Sequence, residues 1–316
     1  MRSDYDKPMK LMAIFKHVNL LFIYGLLAFQ ILVASCSQRQ KNNMADKAIA
    51  VRSEAENKKV RHPPGQLLNP SGDHIATRIL TPKGAIRTET STSSFAYYLR
   101  TLPLKEHGSE VRHYDGSIKR NHGQYLAVVD LPIGNKDLHQ CADAVMRLRA
   151  DYLWNQQQYD KIHFNFTNGF KVDYLRWMNG DRISVDGNQV SWIKRTSKSN
   201  SADTFWKYLE IIFSYAGTLS LSKEMINIPV AEMQIGDVFI QGGSPGHAVI
   251  VVDMSVHQNT GDKYFLLAQS YMPAQEIQIL NNPQTPDNPW YPLNLREQLI
   301  TPEWTFHKND LKRFSE

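Results

Sequence analysis

Two apolar stretches, GHAVIVVDM from Gly246 and KYFLLAQSYM ending at Met272, carry polar groups where chemistry could be done. His247 opens the first and Gln269 lies near the end of the second. An imidazole exchanges a proton near neutral pH, and a carboxamide can hold it in one orientation. Strand residues alternate faces, so register decides whether the two meet. With the connecting loop centred on Gln258, Asp253 falls opposite Lys263, Val251 opposite Phe265, Val249 opposite Leu267 and His247 opposite Gln269. A charge pair beside the loop and apolar pairs beyond it stabilise that register, which brings the His and Gln Cβ atoms to about 5 Å. Taken alone, such a pair is also what a sheet rim carries, each group satisfied by the other or by water.

The third group of interest is a thiol. Cys36 and Cys141 are the two cysteines of the 316-residue chain. Lys10, Lys16 and His17 precede an apolar run from Leu20 to Leu32, and Val33-Ala34-Ser35-Cys36 follows it. A charged region, an apolar region and small residues before a cut describe an export signal. "VASC" resembles the bacterial lipobox, in which the cysteine becomes the lipidated new N-terminus. The expected organisation is therefore a lipoprotein signal peptide over 1–35, a polar flexible tether over 36–74 and one domain over 75–316. With Cys36 lipidated, Cys141 is the sole thiol of the mature chain and no intramolecular disulfide can form, although an exported protein could hold one. A lone cysteine is either a small buried hydrophobe or a reactive group worth tracing.

Charge and location constrain the partners. The formal net charge is +5, and the signal contributes +2 of it, since Arg2, Lys7, Lys10 and Lys16 stand against Asp4 and Asp6. A mature charge near +3 on an exported chain gives no reason to expect a nucleic-acid partner. The expected partner is the membrane, reached through the lipid. No acidic run follows Cys36, and the expected location is the periplasmic face of the outer membrane.

The elements that must position these groups can be read from periodicity. After Gly134, with Asn135 and Asp137 as candidate caps, Leu138, Cys141, Val145, Leu148 and Tyr152 form one helical stripe. Asp143, Arg147 and Asp151, four residues apart on another face, read as a solvated ion-pair ladder. A second helix is expected from Ser201 or Asp203 to Gly217, followed by the strands IGDVFIQ, HAVIVVDM, KYFLLAQSY and EIQIL. Helices first and an antiparallel meander after them predict an α+β fold. GGSPG reads as a hairpin turn, because it lacks the Lys-Ser/Thr of a phosphate loop. No HExxH or paired CxxC occurs, so no metal or other cofactor is expected. Trp290 and Tyr291 read as core more readily than as cleft walls.

The hairpin GHAVIVVDM…FLLAQSYM resembles the "HAV…KNSW" hairpin of the papain-like cysteine peptidase superfamily, and QIGDVFI is similar to the strand before the histidine in its NlpC-type cell-wall branch. The resemblance implies a papain-like α+β core, a cysteine-bearing helix packed on an antiparallel meander. It further implies Cys141 as nucleophile, His247 as proton carrier and Gln269 as its orienting group, in the place of the Asn of a Cys-His-Asn set on that fold. The expected oxyanion donors are the Cys141 N–H with Asn135 or Gln140. The substrate so implied is an amide bond in peptidoglycan or other envelope peptides. "HQCADAV" lacks the small and aromatic neighbours of the superfamily's cysteine. YLRTLPL, YDG, QCADAVMRLRADYLW, FLLAQSYMPAQ and NPWYP are similar to motifs of a bacterial lipoprotein family called domain of unknown function 4846, which implies no activity. The competing expectation is a non-enzymatic envelope lipoprotein in which Cys141 is buried.

Overall fold

Alternating Val, Ile, Leu and Phe through two neighbouring segments make the centre of the molecule. In the computed structural model of the protein, residues 67–315 are described; the signal, Cys36 and most of the tether lie outside them. Strands β1 (Ala85–Arg87), β2 (Tyr125–Val128), β7 (Ile226–Asn227), β8 (Val238–Gln241), β9 (His247–His257), β10 (Lys263–Gln269), β11 (Gln278–Leu280), β12 (Tyr291–Pro292) and β15 (Leu311–Arg313) form one nine-stranded sheet. Its main path runs β2-β11-β10-β9-β8-β15-β7, with β1 added to β9 and β12 to β10, and these strands pair antiparallel. The fold is thus mixed α+β around a large antiparallel sheet, with the expected meander β8-β9-β10-β11 at its centre. Three separate two-stranded hairpins complete the strands: β3 (His163–Asn165) with β4 (Lys171–Asp173), β5 (Asp181–Asp186) with β6 (Gln189–Lys194), and β13 (Gln298–Ile300) with β14 (Thr305–His307).

The pleat sends alternate residues of β9 and β10 into two cores. Ala248, Ile250, Val252, Leu266 and Ala268 join a helix-side core. Its helical partners include α3 (Cys141–Asn155), through Val145 and Leu148, and α5 (Ala202–Tyr215), through Leu209 and Ile212. Two short helices precede α3, α1 (Ile75–Arg78) and α2 (Phe95–Arg100); α4 (Tyr174–Met178) lies between β4 and β5, and α6 (Thr218–Glu224) follows α5. Val249, Val251, Phe265 and Leu267 face the other way, onto Phe306, Leu311 and Tyr291. Each such buried aliphatic or aromatic side chain contributes about 1.5–3 kcal/mol relative to exposure. Trp290 and Tyr291 are core residues, 1% and 2% exposed.

Four expectations change. Helix α3 starts at Cys141, not after Gly134, because Asp137 accepts from the Ala274 N–H at 2.7 Å and holds its stretch on the loop beyond β10. Gln140 then becomes the N-cap residue, its N–H accepted by Asp143 Oδ2 at 2.9 Å. The β9–β10 register is shifted: Leu267 pairs with Val251 and Ala268 with Ile250, and beyond an irregularity at Leu266/Leu267 Phe265 pairs with Met254. Asp253 is consequently far from Lys263 in register and lies buried between Arg87 Nε at 2.7 Å and Arg100 Nε at 2.6 Å. Finally, Asp143, Arg147 and Asp151 are not a solvated ladder. Arg147 is buried and pairs with Asp151 at 3.2 Å, while Asp143 is buried with one oxygen, Oδ1, lacking a hydrogen bond.

Candidate functional site

His247 and Gln269 meet despite the altered register. A shift of two residues at the inner end of the hairpin preserves the face, so the two become diagonal neighbours, a spacing long side chains can bridge. His247 Nε2 lies 2.8 Å from Gln269 Oε1, and both residues are 1% exposed. The imidazole is enclosed by rings, with centroids 4.8 Å away at Tyr271, 5.4 Å at Trp304 and 5.9 Å at Phe306.

Behind the pair stand two residues that the sequence reading passed over. Gln269 Nε2 donates to Glu303 Oε2 at 2.5 Å, and Lys119 Nζ reaches the same oxygen at 2.6 Å. Glu303 sits at the tip between β13 and β14, where Thr301 Oγ1 donates to the Trp304 carbonyl and Trp304 Nε1 to Gln241 Oε1. The alternation around Leu299 and Phe306 with a Thr-Pro turn between them was a legible hairpin signal. Nothing local said which strand end its tip would reach.

Cys141 is the first residue of α3 and 8% exposed. The backbone N–H groups of Ala142, Ala248 and Cys141 itself favour its thiolate form. No hydrogen bond joins the sulfur to the imidazole among the described contacts. The helix start is fixed to the hairpin by Ser270, whose Oγ is 2.9 Å from the His139 carbonyl and 2.7 Å from that of Gln275. Gly246 permits the approach from the other side, since a Cβ there would stand 2.4 Å from Thr218 Oγ1.

Cys141 opens on a cavity of about 400 Å³ walled also by Gln140, Asp143, Gly246, Thr218 and Met272. Of the two expected oxyanion side chains, Gln140 is in this wall, with its Nε2 on Asp137 Oδ1 at 3.1 Å, whereas Asn135 is exposed and outside it. His247 is not part of the wall; it lies behind it, under the aromatic cluster.

Burial dominates the electrostatics. It pushes the Cys141 thiol up to about 11, helped by Asp143 and opposed by the three backbone N–H groups. Burial also pulls His247 down to about 4, with Gln269 opposing and Lys119 assisting. The resting pair at neutral pH is therefore an uncharged thiol and an uncharged imidazole. The Asp143 carboxyl is held well above the usual carboxylate range by burial, against the Gln140 N–H. His139 is driven down to about 3 by burial and Arg147, which makes it a neutral packing group. Among the described residues, no group of three His, Cys, Asp or Glu side chains is placed to hold a metal ion.

Fold and site together describe an antiparallel-sheet α+β protein with a buried thiol at a helix N-terminus and a hydrogen-bonded His–Gln pair on the adjoining strands. The chain belongs to the family called domain of unknown function (4846), which matches residues 75–313. No curated protein and no solved structure matches it.

Proposed function

We propose that the protein is a lipid-anchored cysteine hydrolase of the cell envelope, built on a papain-like plan of the NlpC type and cleaving amide bonds in peptidoglycan peptides. The observation that carries this reading is the 2.8 Å His247–Gln269 hydrogen bond at the strand end next to a helix-N-terminal thiol that opens on a cavity. In the reaction, Cys141 sulfur attacks the amide carbonyl carbon while its proton passes to His247. The Cys141 N–H, with Gln140 as a side-chain candidate, stabilises the oxyanion. The tetrahedral adduct collapses with cleavage of the C–N bond, and His247 returns the proton to the departing amine. Water, deprotonated by the same imidazole, then attacks the thioester carbon; the C–S bond breaks, the carboxylic product leaves and His247 returns the proton to the Cys141 sulfur. Thiol and imidazole both rest uncharged, so in this scheme the proton moves as the C–S bond forms and no preformed thiolate is required.

The rival, a non-enzymatic envelope lipoprotein, draws on a different observation: Cys141 is 8% exposed, its thiol is raised to about 11, and it makes no hydrogen bond to His247. Purified full-length protein incubated with peptidoglycan stem peptides separates the two. A hydrolase releases new amino groups in step with peptide cleavage, and C141A and H247A each lower the rate by about 10³-fold or more. A wild-type protein that cleaves none of a panel of stem and cross-linked peptides supports the lipoprotein alternative.

A further inference from the structure

We propose that Glu303, anchored by Lys119, is a positioning residue that fixes the orientation of the Gln269 carboxamide and through it the tautomer of His247. Its value to catalysis rests on the hydrolase reading above; the tautomer itself does not.

The argument is one of donors and acceptors. An ionised carboxylate only accepts hydrogen bonds. Glu303 Oε2 receives Gln269 Nε2 at 2.5 Å and Lys119 Nζ at 2.6 Å, so the NH₂ end of the carboxamide must point at Glu303. The opposite end, Oε1, then faces His247 Nε2 at 2.8 Å. That oxygen also only accepts, so the proton must sit on Nε2 and the Nδ1 lone pair is left free to act as base. A carboxamide rotated by half a turn fits the same space. It would present NH₂ to the ring, move the proton to Nδ1 and remove the base. Glu303 makes that rotation unfavourable. It acts with little competition from water, since the Lys119 and Glu303 side chains are 7% and 11% exposed. The neighbouring Trp304 fixes the tip: its Nε1 donates to Gln241 Oε1 at 2.9 Å and its ring lies 5.4 Å from that of His247.

The test is ¹⁵N NMR of the full chain labelled at histidine, with the His247 signals assigned by their loss in H247A. Wild-type His247 is expected in a single Nε2–H form. In E303A, the Nδ1–H form rises to at least the fraction shown by exposed His107, and alkylation of Cys141 at neutral pH slows by about tenfold or more. E303Q restores both, because its Oε1 can accept from the same two donors. If alanine unfolds the hairpin tip, E303M, of similar length and without an acceptor oxygen, takes its place. A wild-type His247 in the Nδ1–H form overturns the proposal, as does an unchanged pure Nε2–H form in a folded E303A or E303M. Alkylation that ignores H247A removes the hydrolase reading instead and leaves the tautomer result standing.

Discussion

At Cys141, a helix N-terminus and burial pull in opposite directions. The orphan N–H groups of the first turn favour a thiolate, but desolvation and Asp143 outweigh them and the thiol rises to about 11. Asp143 is the second contribution after burial, and its helical spacing suggests a solvated face whereas the structure puts it in the wall beside Cys141. Replacing it by Asn keeps an oxygen for the Gln140 N–H and removes the opposing charge. D143N is expected to lower the pKa of Cys141 and to speed its alkylation several-fold above neutral pH, measured as rate against pH. The same substitution has a stability signature. The folded pKa of Asp143 is raised above its unfolded value, so its contribution is fully present below the unfolded pKa and is lost as pH rises. D143N should therefore be more stable than wild type at pH 7 and gain nothing near pH 3, by denaturant titration.

At the scale of elements, the hairpin was legible in its faces and not in its count. Period-two alternation specified that His247 and Gln269 share a side, and a register error of two residues leaves that unchanged. The hairpin is not centred on Gln258: its inner pairs are displaced by two residues and the irregularity at Leu266/Leu267 adds one more, so Asp253 stands opposite Leu266 and not Lys263. Its actual partners come from β1 and α2, more than a hundred residues earlier in the chain. Arg87 and Arg100 both converge on this fully buried carboxylate, tying both elements to the middle of β9. Removing it leaves two guanidinium groups without their counter-charge. D253A is expected to cost about 3–5 kcal/mol, seen as a lowered thermal midpoint, with D253N recovering part of the loss through its remaining acceptor. The start of α3 was misplaced for a comparable reason. Asn135 and Asp137 have the right chemistry for a cap, but a tertiary contact to Ala274 takes Asp137 away from that role.

Across the whole molecule, the α+β layering and the central meander followed from the order of helical and strand periods, and the family assignment spans the same region. What could not be read is closure. Lys119 from the segment before β2, Glu303 and Trp304 from the β13–β14 tip, and Gln269 from β10 converge on one imidazole through contacts separated by 34 to 184 residues. No local pattern encodes such a meeting. The central claim is that this enclosure serves the Cys141 sulfur, and it can be measured directly. Native full-length protein is exposed to iodoacetamide at neutral pH, and modification is mapped to the Cys141 peptide by mass spectrometry in wild type and in H247A. A nucleophile served by His247 is labelled in the folded wild-type protein and about 10²- to 10⁴-fold more slowly in H247A. A Cys141 that stays unmodified until denaturant is added, or that reacts at the same rate in both proteins, would contradict the hydrolase.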